Sequence, residues 1–356
     1  MSLTILSVGY PLAHVGPDAV GGAEQVLSQL DRALAAAGHR SLVIAPEGSR
    51  VAGTLLPVPA PPERLDDAVK ARAQERQARA VAEALRRHRV DLVHLHGIDF
   101  YAYLPPPGVP VLATLHVPLG WYPPGTFPVT RPDTWLHCVS HRQHATFPPA
   151  PNLLPPIENG VPVDRLGGPD ARRHARRGFA LMLSRICPDK GIHLGIQAAA
   201  RAGVPLVIAG ELFAYDDHVR YFREEVQPFL GPRCRFVGPA GFARKRRLLA
   251  AARCLLVPSL AAETSSLAAR EAIASGTPVV AFPNGGLPET VADGVTGYLV
   301  DDVAGMADAI GRVGALDPET CRRVARERFS LDRMVGEYLT LYRRLGRPGG
   351  RVPAVA

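Results

Sequence analysis

The chain has 356 residues, enough for two domains of ordinary size rather than one core. With 47% hydrophobic and 21% charged residues it is not a disordered chain, and Gly plus Pro, about a fifth of the total, stay under the roughly 25–30% of low-complexity sequence. The formal charge is +8 from 41 basic residues, of which only Lys70, Lys190 and Lys245 are lysines, so a lysine inside a motif stands out against the arginine background.

Cys138, Cys187, Cys234, Cys254 and Cys321 are odd in number and never form a Cys-x-x-Cys pair, which excludes a disulfide framework or a zinc-knuckle pattern. Residues 1–8 lack the basic region of a signal peptide, and no apolar run approaches the ~18 residues that span a bilayer, so the sequence reads as cytoplasmic and soluble.

In chain order, Leu3–Val8 predicts a buried strand that enters a Gly/Pro-rich loop, Gly9 to Gly22. Leu27, Leu30, Leu34 and Ala37 recur at helical spacing, and Gly38 follows as a C′ cap. The apolar run Ser41–Ala45 comes next, then an Arg-rich helix over Leu65–Arg87 and strands Val90–Leu95, Val109–Leu115 and Leu136–Val139. Between Asn159 and Gly178 the pattern breaks into Gly, Pro and Arg, as expected of an interdomain linker. A second series follows: strand Phe179–Leu183, a helix from Lys190, strand Pro205–Ala209, a helix over Asp217–Leu230 and strand Cys234–Val237. It continues with helix Phe242–Ala252, strand Cys254–Val257, helix Leu267–Ser275 and strands Pro278–Ala281 and Tyr298–Val300. Helices Met306–Val313 and Pro318–Arg326 precede an amphipathic helix, Leu331–Leu345, expected to cross back to the first domain; residues 347–356 are expected to be a flexible tail.

Strands alternating with helices imply parallel pairing, because parallel neighbours need a crossover. The expected fold is α/β: two Rossmann-like doubly wound domains, residues 1–165 completed by 331–346, and residues 178–330. Such domains bind ligands at the carboxyl ends of their strands, which places the expected site in a cleft between them.

The densest chemistry lies at Glu263-Thr264-Ser265-Ser266-Leu267-Ala268-Ala269-Arg270-Glu271, where a strand turns into a helix. Ser265 or Ser266 would cap that helix, and its first free N–H groups, ending at Leu267 and beyond, form an anion site. Glu263 would sit in the loop beside the anion and Glu271 on the helix. Taken alone, the two carboxylates equally describe a surface Glu and a helix Glu paired with an Arg. The flanks speak against that: Ala272 to Ala281, then Asn284-Gly285-Gly286-Leu287-Pro288-Glu289, then Asp293-Gly294-Val295-Thr296-Gly297-Tyr298.

This stretch resembles the nucleotide-sugar-binding half of family 4 glycosyltransferases, retaining enzymes of the GT-B fold. Ser184-Arg185-Ile186-Cys187-Pro188-Asp189-Lys190-Gly191 is similar to the family's Arg-x4-Lys-Gly segment, and Gly21-Gly22-Ala23-Glu24 to its first glycine loop. Asp91-Leu92-Val93-His94-Leu95-His96, Thr114-Leu115-His116, Val139-Ser140 and Asn159-Gly160-Val161 resemble further strand ends of the family. The run from Asp217 through Glu225 to Pro228, with Val237-Gly238 and Lys245, loosely resembles the natural-product glycosyltransferase subgroup.

The resemblance implies transfer of a sugar from a nucleotide-diphosphate sugar to a hydroxyl acceptor that is a small molecule, a glycan or lipid-linked. Charge then leaves with the diphosphate while the sugar becomes oxocarbenium-like, so catalysis is largely electrostatic stabilisation of the leaving group. Arg185 offers bidentate geometry and Lys190 a mobile point charge for that diphosphate. By resemblance, Glu263 would hold hydroxyls of the donor sugar, Glu271 would accept from the ribose, and His116 would face the sugar. The amides of Gly21 and Gly22 would approach the phosphates closely, as glycine allows, although a Gly-Gly pair also describes a plain turn, and a lone His equally describes a satisfied core residue. Asn159 is read as shaping a turn. In the front-face mechanism proposed for the family the departing phosphate deprotonates the acceptor, so no protein base is assigned. No Asp-x-Asp occurs, which fits metal independence; no cofactor is expected.

Three positions depart from the family pattern. Ser265-Ser266 stand where many relatives carry Phe-Gly, and Ser184 replaces the common Gly before Arg185. Alternatives of other classes are a GT-B nucleotide-sugar epimerase, a non-catalytic nucleotide-sugar-binding protein, and a metal-dependent hydrolase using His94 and His96, which share one strand face. His137, His141 and His144 read as an exposed helical stripe. The basic runs Arg172–Arg177 and Arg244–Arg247 lack interleaved aromatics, so nucleic acid is not expected as a partner, while peripheral contact with an anionic membrane remains open.

Overall fold

The computed structural model describes residues 2–62, 64–168 and 178–346. The basic run Arg172–Arg177 and the expected tail at 347–356 lie outside the described residues. The chain divides into two compact units: one comprises the chain to Glu158 and from Val335 onward, the other Asn159–Met334. Residues 159–165, read as part of the first domain, therefore belong to the second. There Gly160 packs against Ser330 and Leu331 so closely that a Cβ would lie 2.6 Å from the Ser330 carbonyl oxygen, and Val161 N–H donates to Phe329 O at 2.8 Å.

The first unit is built on seven strands: β1 (Thr4–Val8), β2 (Arg40–Pro46), β3 (Thr54–Val58), β4 (Leu92–Leu95), β5 (Val111–Leu115), β6 (Thr134–Cys138) and β7 (Leu153–Leu154). They pair in the order β3-β2-β1-β4-β5-β6-β7, parallel throughout. The central strands are apolar runs because helices cover both faces of a parallel sheet; Leu6, Val8, Leu42, Ile44, Val93, Leu95, Val111 and Ala113 are all buried. The helix Asp67–Arg87 starts where the Asp66 carboxylate accepts from Val69 N–H at 2.8 Å, and its buried Gln77 donates to Gly9 O at 2.8 Å, pinning the loop after β1.

The second unit has six strands: β8 (Ala180–Leu183), β9 (Leu206–Ala209), β10 (Cys234–Phe236), β11 (Cys254–Val257), β12 (Val279–Ala281) and β13 (Gly297–Leu299). Their order is β10-β9-β8-β11-β12-β13, again all parallel. Its core joins Met182, Ile208, Leu256 and Val280 of the sheet to Ile192, Ile196, Met306 and Ile310 of the helices Ile192–Arg201 and Val303–Arg312. In both sheets the strand order reverses beside the first strand, between β1 and β4 and between β8 and β11. The loops leaving the carboxyl ends of those strands are where such sheets hold ligands.

Three expectations differ from the structure. Edge strands β3 and β7 had no expected counterpart: β3 is half exposed and carries Pro57, and β7 has two residues. The helix expected over Asp217–Leu230 is regular only over Asp216–Tyr221; a wider turn, Phe222–Val226, and a tighter one, Gln227–Phe229, follow, because Pro228 supplies no backbone N–H. His137 is not exposed but fully buried on β6, while His141 is exposed on the short helix His141–His144. All five cysteines are free.

Candidate functional site

In the second unit three loops at the carboxyl end of the sheet are stapled together. After β8 the chain makes a tight turn at Pro188–Lys190 and passes Gly191, whose φ of +60° and 2.1 Å approach of an ideal Cβ to Pro258 O admit only glycine. Leu260 N–H donates to Asp189 O at 2.8 Å, tying the loop after β11 to that turn. The loop after β12 joins from the other side: Gly286 N–H donates to Glu263 O at 2.6 Å and Asn284 Nδ2 to Ser259 O at 2.6 Å. Gly285, at φ +61°, lies so near Glu263 that a Cβ would sit 2.3 Å from its carbonyl oxygen.

Glu263 is thereby fixed from both backbone sides, and its side chain is fixed too. Lys190 Nζ donates to Glu263 Oε1 at 2.5 Å, and the Ser259 hydroxyl donates to the same oxygen. The side chains of Lys190 and Glu263 are 22% and 12% exposed, so this is not a surface pair. Burial pushes the Glu263 carboxyl up, but the Lys190 charge and hydrogen bond, the Ser259 hydroxyl and Arg185 together outweigh it and hold the group below its ordinary value. Arg185, on the same loop as Lys190, is half-buried and has no ion-pair partner among the described residues.

Ser266 caps the helix Leu267–Ala274, its hydroxyl accepting from Ala269 N–H at 3.4 Å. The N–H groups ahead of Ala269 point out of the helix end, where the peptide dipoles favour an anion. Glu271 is buried on that helix and pairs with Lys245 of the helix Phe242–Ala251 at 2.5 Å, with 5% and 13% of the two side chains exposed. The expected alternative, a surface Glu and a Glu paired with Arg, does not describe either carboxylate: Glu263 is largely shielded, Glu271 is buried, and both partners are lysines. Arg270 turns the other way, donating to Asn159 O and lying over the Phe329 ring at 4.8 Å. Asn159 thus takes part through its backbone in holding this helix. The hydroxyls of Ser184 and Ser265, at two of the three positions that depart from the family pattern, are buried with no hydrogen-bond partner among the described residues.

The first unit places its expected residues in two groups. Gly21 is the N-cap of the helix Gly22–Ala36, and the buried Glu24 carboxylate folds back on it; a Cβ at Gly21 would fall on Glu24 Oε2. His116 follows β5 and stacks on His96, ring centroids 5.4 Å apart and 22° between planes, with its Nε2 3.1 Å from His96 Nδ1. His94 and His96 do not form a metal pair. Both nitrogens of His94 are taken, by Tyr342 and His96 on one side and Thr114 on the other, and among the described residues no group of three or more His, Cys, Asp or Glu could hold a metal ion. Sequence reasoning missed Ser259 and gave no role to Asn284, named only within its flanking motif, or to Lys245, named for its rarity and in the loose subgroup resemblance.

A fully parallel sheet with cationic and carboxylate side chains gathered at its reversal point is an α/β unit of the Rossmann type. Comparison with known proteins makes it particular. The model for glycosyl transferases group 1 matches residues 178–315, and that for Glycosyltransferase Family 4 matches residues 20–147. The fold is similar over 97% of this chain and 98% of the other to AviGT4, a glycosyltransferase involved in avilamycin A biosynthesis (TM-score 0.71, 25% identity). It is also similar to sucrose-phosphate synthase from Thermosynechococcus elongatus (TM-score 0.76, 22% identity, covering 96% and 99%) and to Anabaena HepE in complex with UDP-glucose (0.69, 21%, 95% and 100%). The D-inositol 3-phosphate glycosyltransferase of Mycolicibacterium smegmatis is 34% identical over 206 residues, 53% of this chain and 46% of that protein. The chain thus spans about half the length of the curated relatives it matches. It belongs to the group 1, family 4 glycosyltransferases and has the GT-B fold.

Proposed function

We propose that the protein is a retaining glycosyltransferase of hexosyltransferase type, moving a sugar from a nucleotide-diphosphate sugar to a hydroxyl acceptor without a metal. The observation that carries this reading is the clasp of Lys190 on Glu263 beside Arg185 and the capped helix end at Ser266. It gathers two cations, outward N–H groups and a hydrogen-bonding carboxylate within the loops of one sheet end. Arg185, Lys190 and the N–H groups at Leu267 meet the diphosphate; Glu263 takes hydroxyls of the donor sugar and Glu271 those of the ribose. Lys190 reaches the phosphate by leaving Glu263 Oε1, which frees that oxygen for the sugar at the same moment. Ser265 supplies a hydroxyl that the bound donor satisfies. Gly21 and Gly22 bring backbone amides to the phosphates, and His116 meets the transferring sugar. The leaving phosphate takes the acceptor proton, so no side chain serves as base. The identity of HepE's ligand, UDP-glucose, and of the mycobacterial relatives as glycosyltransferases supports the donor class.

The test separates binding from turnover. Lys190→Ala and Arg185→Ala are expected to lower turnover by about 100-fold or more with an unchanged fold, since each removes charge stabilisation of the leaving group. Near-normal turnover in Lys190→Ala overturns the phosphate assignment. A thermal-shift series with UDP-, GDP-, ADP- and dTDP-sugars should give one donor that raises the melting temperature by about 5–10 °C near 100-fold excess over its Kd. Silence across all four overturns the donor class.

A further inference from the structure

Glu271 shows a ligand one carboxylate oxygen rather than two. Lys245 Nζ donates to Oε1 at 2.5 Å, whereas Oε2 has no hydrogen-bond partner among the described residues and is not sealed from solvent. Glu263 is arranged alike: Lys190 and Ser259 both donate to its Oε1, and its Oε2 has no partner among the described residues.

The Lys245–Glu271 pair is held from outside itself. The helix Phe242–Ala251, which carries Lys245, is tied at its start, where Arg244 Nη1 donates to Val237 O at 3.0 Å and Arg165 lies over the Phe242 ring at 4.2 Å. Near its end Thr277 Oγ1 donates to Leu249 O at 2.6 Å, while Thr277 N–H donates to Ala272 O, beside Glu271, at 2.9 Å. One residue thus sets the spacing of the two helices, and with it the side from which the ammonium group meets the carboxylate.

The choice of lysine matters here. An arginine at the same place would grip both oxygens with its planar fork of N–H groups, whereas a lysine is a point charge that matches the carboxylate through one oxygen and leaves the other to accept. In a chain where all but three of 41 basic residues are arginine, a lysine stands at each of these two glutamates. We infer that Lys245 is a positioning residue that holds Oε2 of Glu271 toward the ribose of the donor, and that the site therefore selects ribonucleotide over 2′-deoxyribonucleotide donors. This rests on the proposed place of Glu271 at the ribose. A carboxylate oxygen has two lone pairs, so Oε2 accepts from both hydroxyls of the ribose cis-diol; a 2′-deoxyribose supplies one hydrogen and leaves a charged, largely shielded oxygen short of a partner.

The test is calorimetric titration of the full chain with UDP and dUDP, GDP and dGDP, and ADP and dADP, each pair differing only in the 2′-hydroxyl. The pair that binds should favour the ribonucleotide by about 10–100-fold, the worth of one hydrogen bond to a charged group. Equal affinity within that pair, or no binding of any pair, overturns the inference. Lys245→Arg keeps the charge and should melt close to the wild type, yet it closes Oε2, so the preference should fall to roughly threefold or less, the ribonucleotide losing more affinity than its partner. Lys245→Met, titrated below its melting temperature, should lose the preference as well, since nothing then holds the carboxylate. A preference retained in both folded variants overturns the positioning role of Lys245. Glu271→Ala separates the inference from the reading beneath it. Where Glu271→Ala abolishes a preference that both lysine variants keep, Glu271 is at the ribose and Lys245 serves only the fold. Where Glu271→Ala leaves affinity and preference as in the wild type, Glu271 is not at the ribose and both fall.

Discussion

The chain has three lysines, and two of them pair with carboxylates that are buried or largely shielded from water. Lys70 makes an exposed i,i+3 pair with Asp67, of the kind arginine could replace, whereas Lys190 and Lys245 each end 2.5 Å from a glutamate that would otherwise be a lone charge away from water. Breaking such a pair by removing one partner costs more than replacing both. Lys245→Met should therefore destabilise the second unit by about 3 kcal/mol, while Lys245→Met with Glu271→Leu should recover most of that; chemical denaturation of the single and double variants measures the difference. The double variant should still bind donor poorly, since Glu271 is gone. Ser265 presents the opposite case, a buried hydroxyl with no hydrogen-bond partner among the described residues, which disfavours the folded state by about 1–3 kcal/mol. Ser265→Ala is expected to leave the melting temperature of the free protein unchanged or raised while weakening nucleotide-sugar binding about fivefold to tenfold, one hydrogen bond's worth. A free protein that loses stability together with binding would show that the hydroxyl serves the fold instead.

At the scale of elements, the site depends on loops that approach one another through glycine. Gly191 and Gly38 make a matched comparison: both have positive φ, +60° and +75°, but only Gly191 meets a neighbour, Pro258 O, at 2.1 Å from an ideal Cβ. Gly38→Ala should cost only the left-handed backbone penalty of about 1–2 kcal/mol. Gly191→Ala should cost distinctly more and also part the loop of Lys190 from that of Glu263, so donor KM rises in this variant and not in the other. Calorimetry and steady-state kinetics on the pair check both halves. The same elements show what the sequence makes legible. The central strands were readable because a parallel strand buried on both faces is a continuous apolar run; Cys254–Val257 and the helix Leu331–Leu345 fall where the pattern places them. Edge strands β3 and β7 carry no such run. That Lys190, Glu263 and Ser266 lie on loops at one end of the sheet was readable because they stand beside strand ends, where spacing along the chain reflects position in space, and Glu271 follows on the helix that Ser266 caps. Lys245 and Asn284 were not, since what they hold lies on another helix or loop, as with Lys245 and Glu271, 26 positions apart; Ser259, on the same loop as the Glu263 it donates to, stands in no motif that marks it. His137 was misread for a related reason: grouped with His141 and His144 by helical spacing, it sits on β6 opposite Thr114.

For the whole molecule, the imidazoles of His94, His96, His116 and His137 are expected to make acid stability unequal between the units. Each has a folded value depressed below the ordinary 6.5, so the unfolded chain binds more protons throughout the window from about 6.5 down to the folded values, about 3 at His116 and about 4 at His137. Their contribution is therefore present in full above pH 6.5 and is lost as the pH falls. In the middle of the window the slope approaches one proton per ring, in all on the order of 5 kcal/mol per pH unit. Glu263 of the second unit behaves similarly but lower down, because its depressed value lies under 4.5 and its contribution survives until the pH falls through that range. The first unit should thus unfold between about pH 6 and pH 4 while the second is still folded, giving two separate transitions on acid titration that merge near neutrality. Circular dichroism with tryptophan fluorescence reads them separately, because Trp121 and Trp135 both lie in the first unit. His137→Gln should lower the proton uptake of the first transition by about one, which a steeper or unchanged slope would contradict.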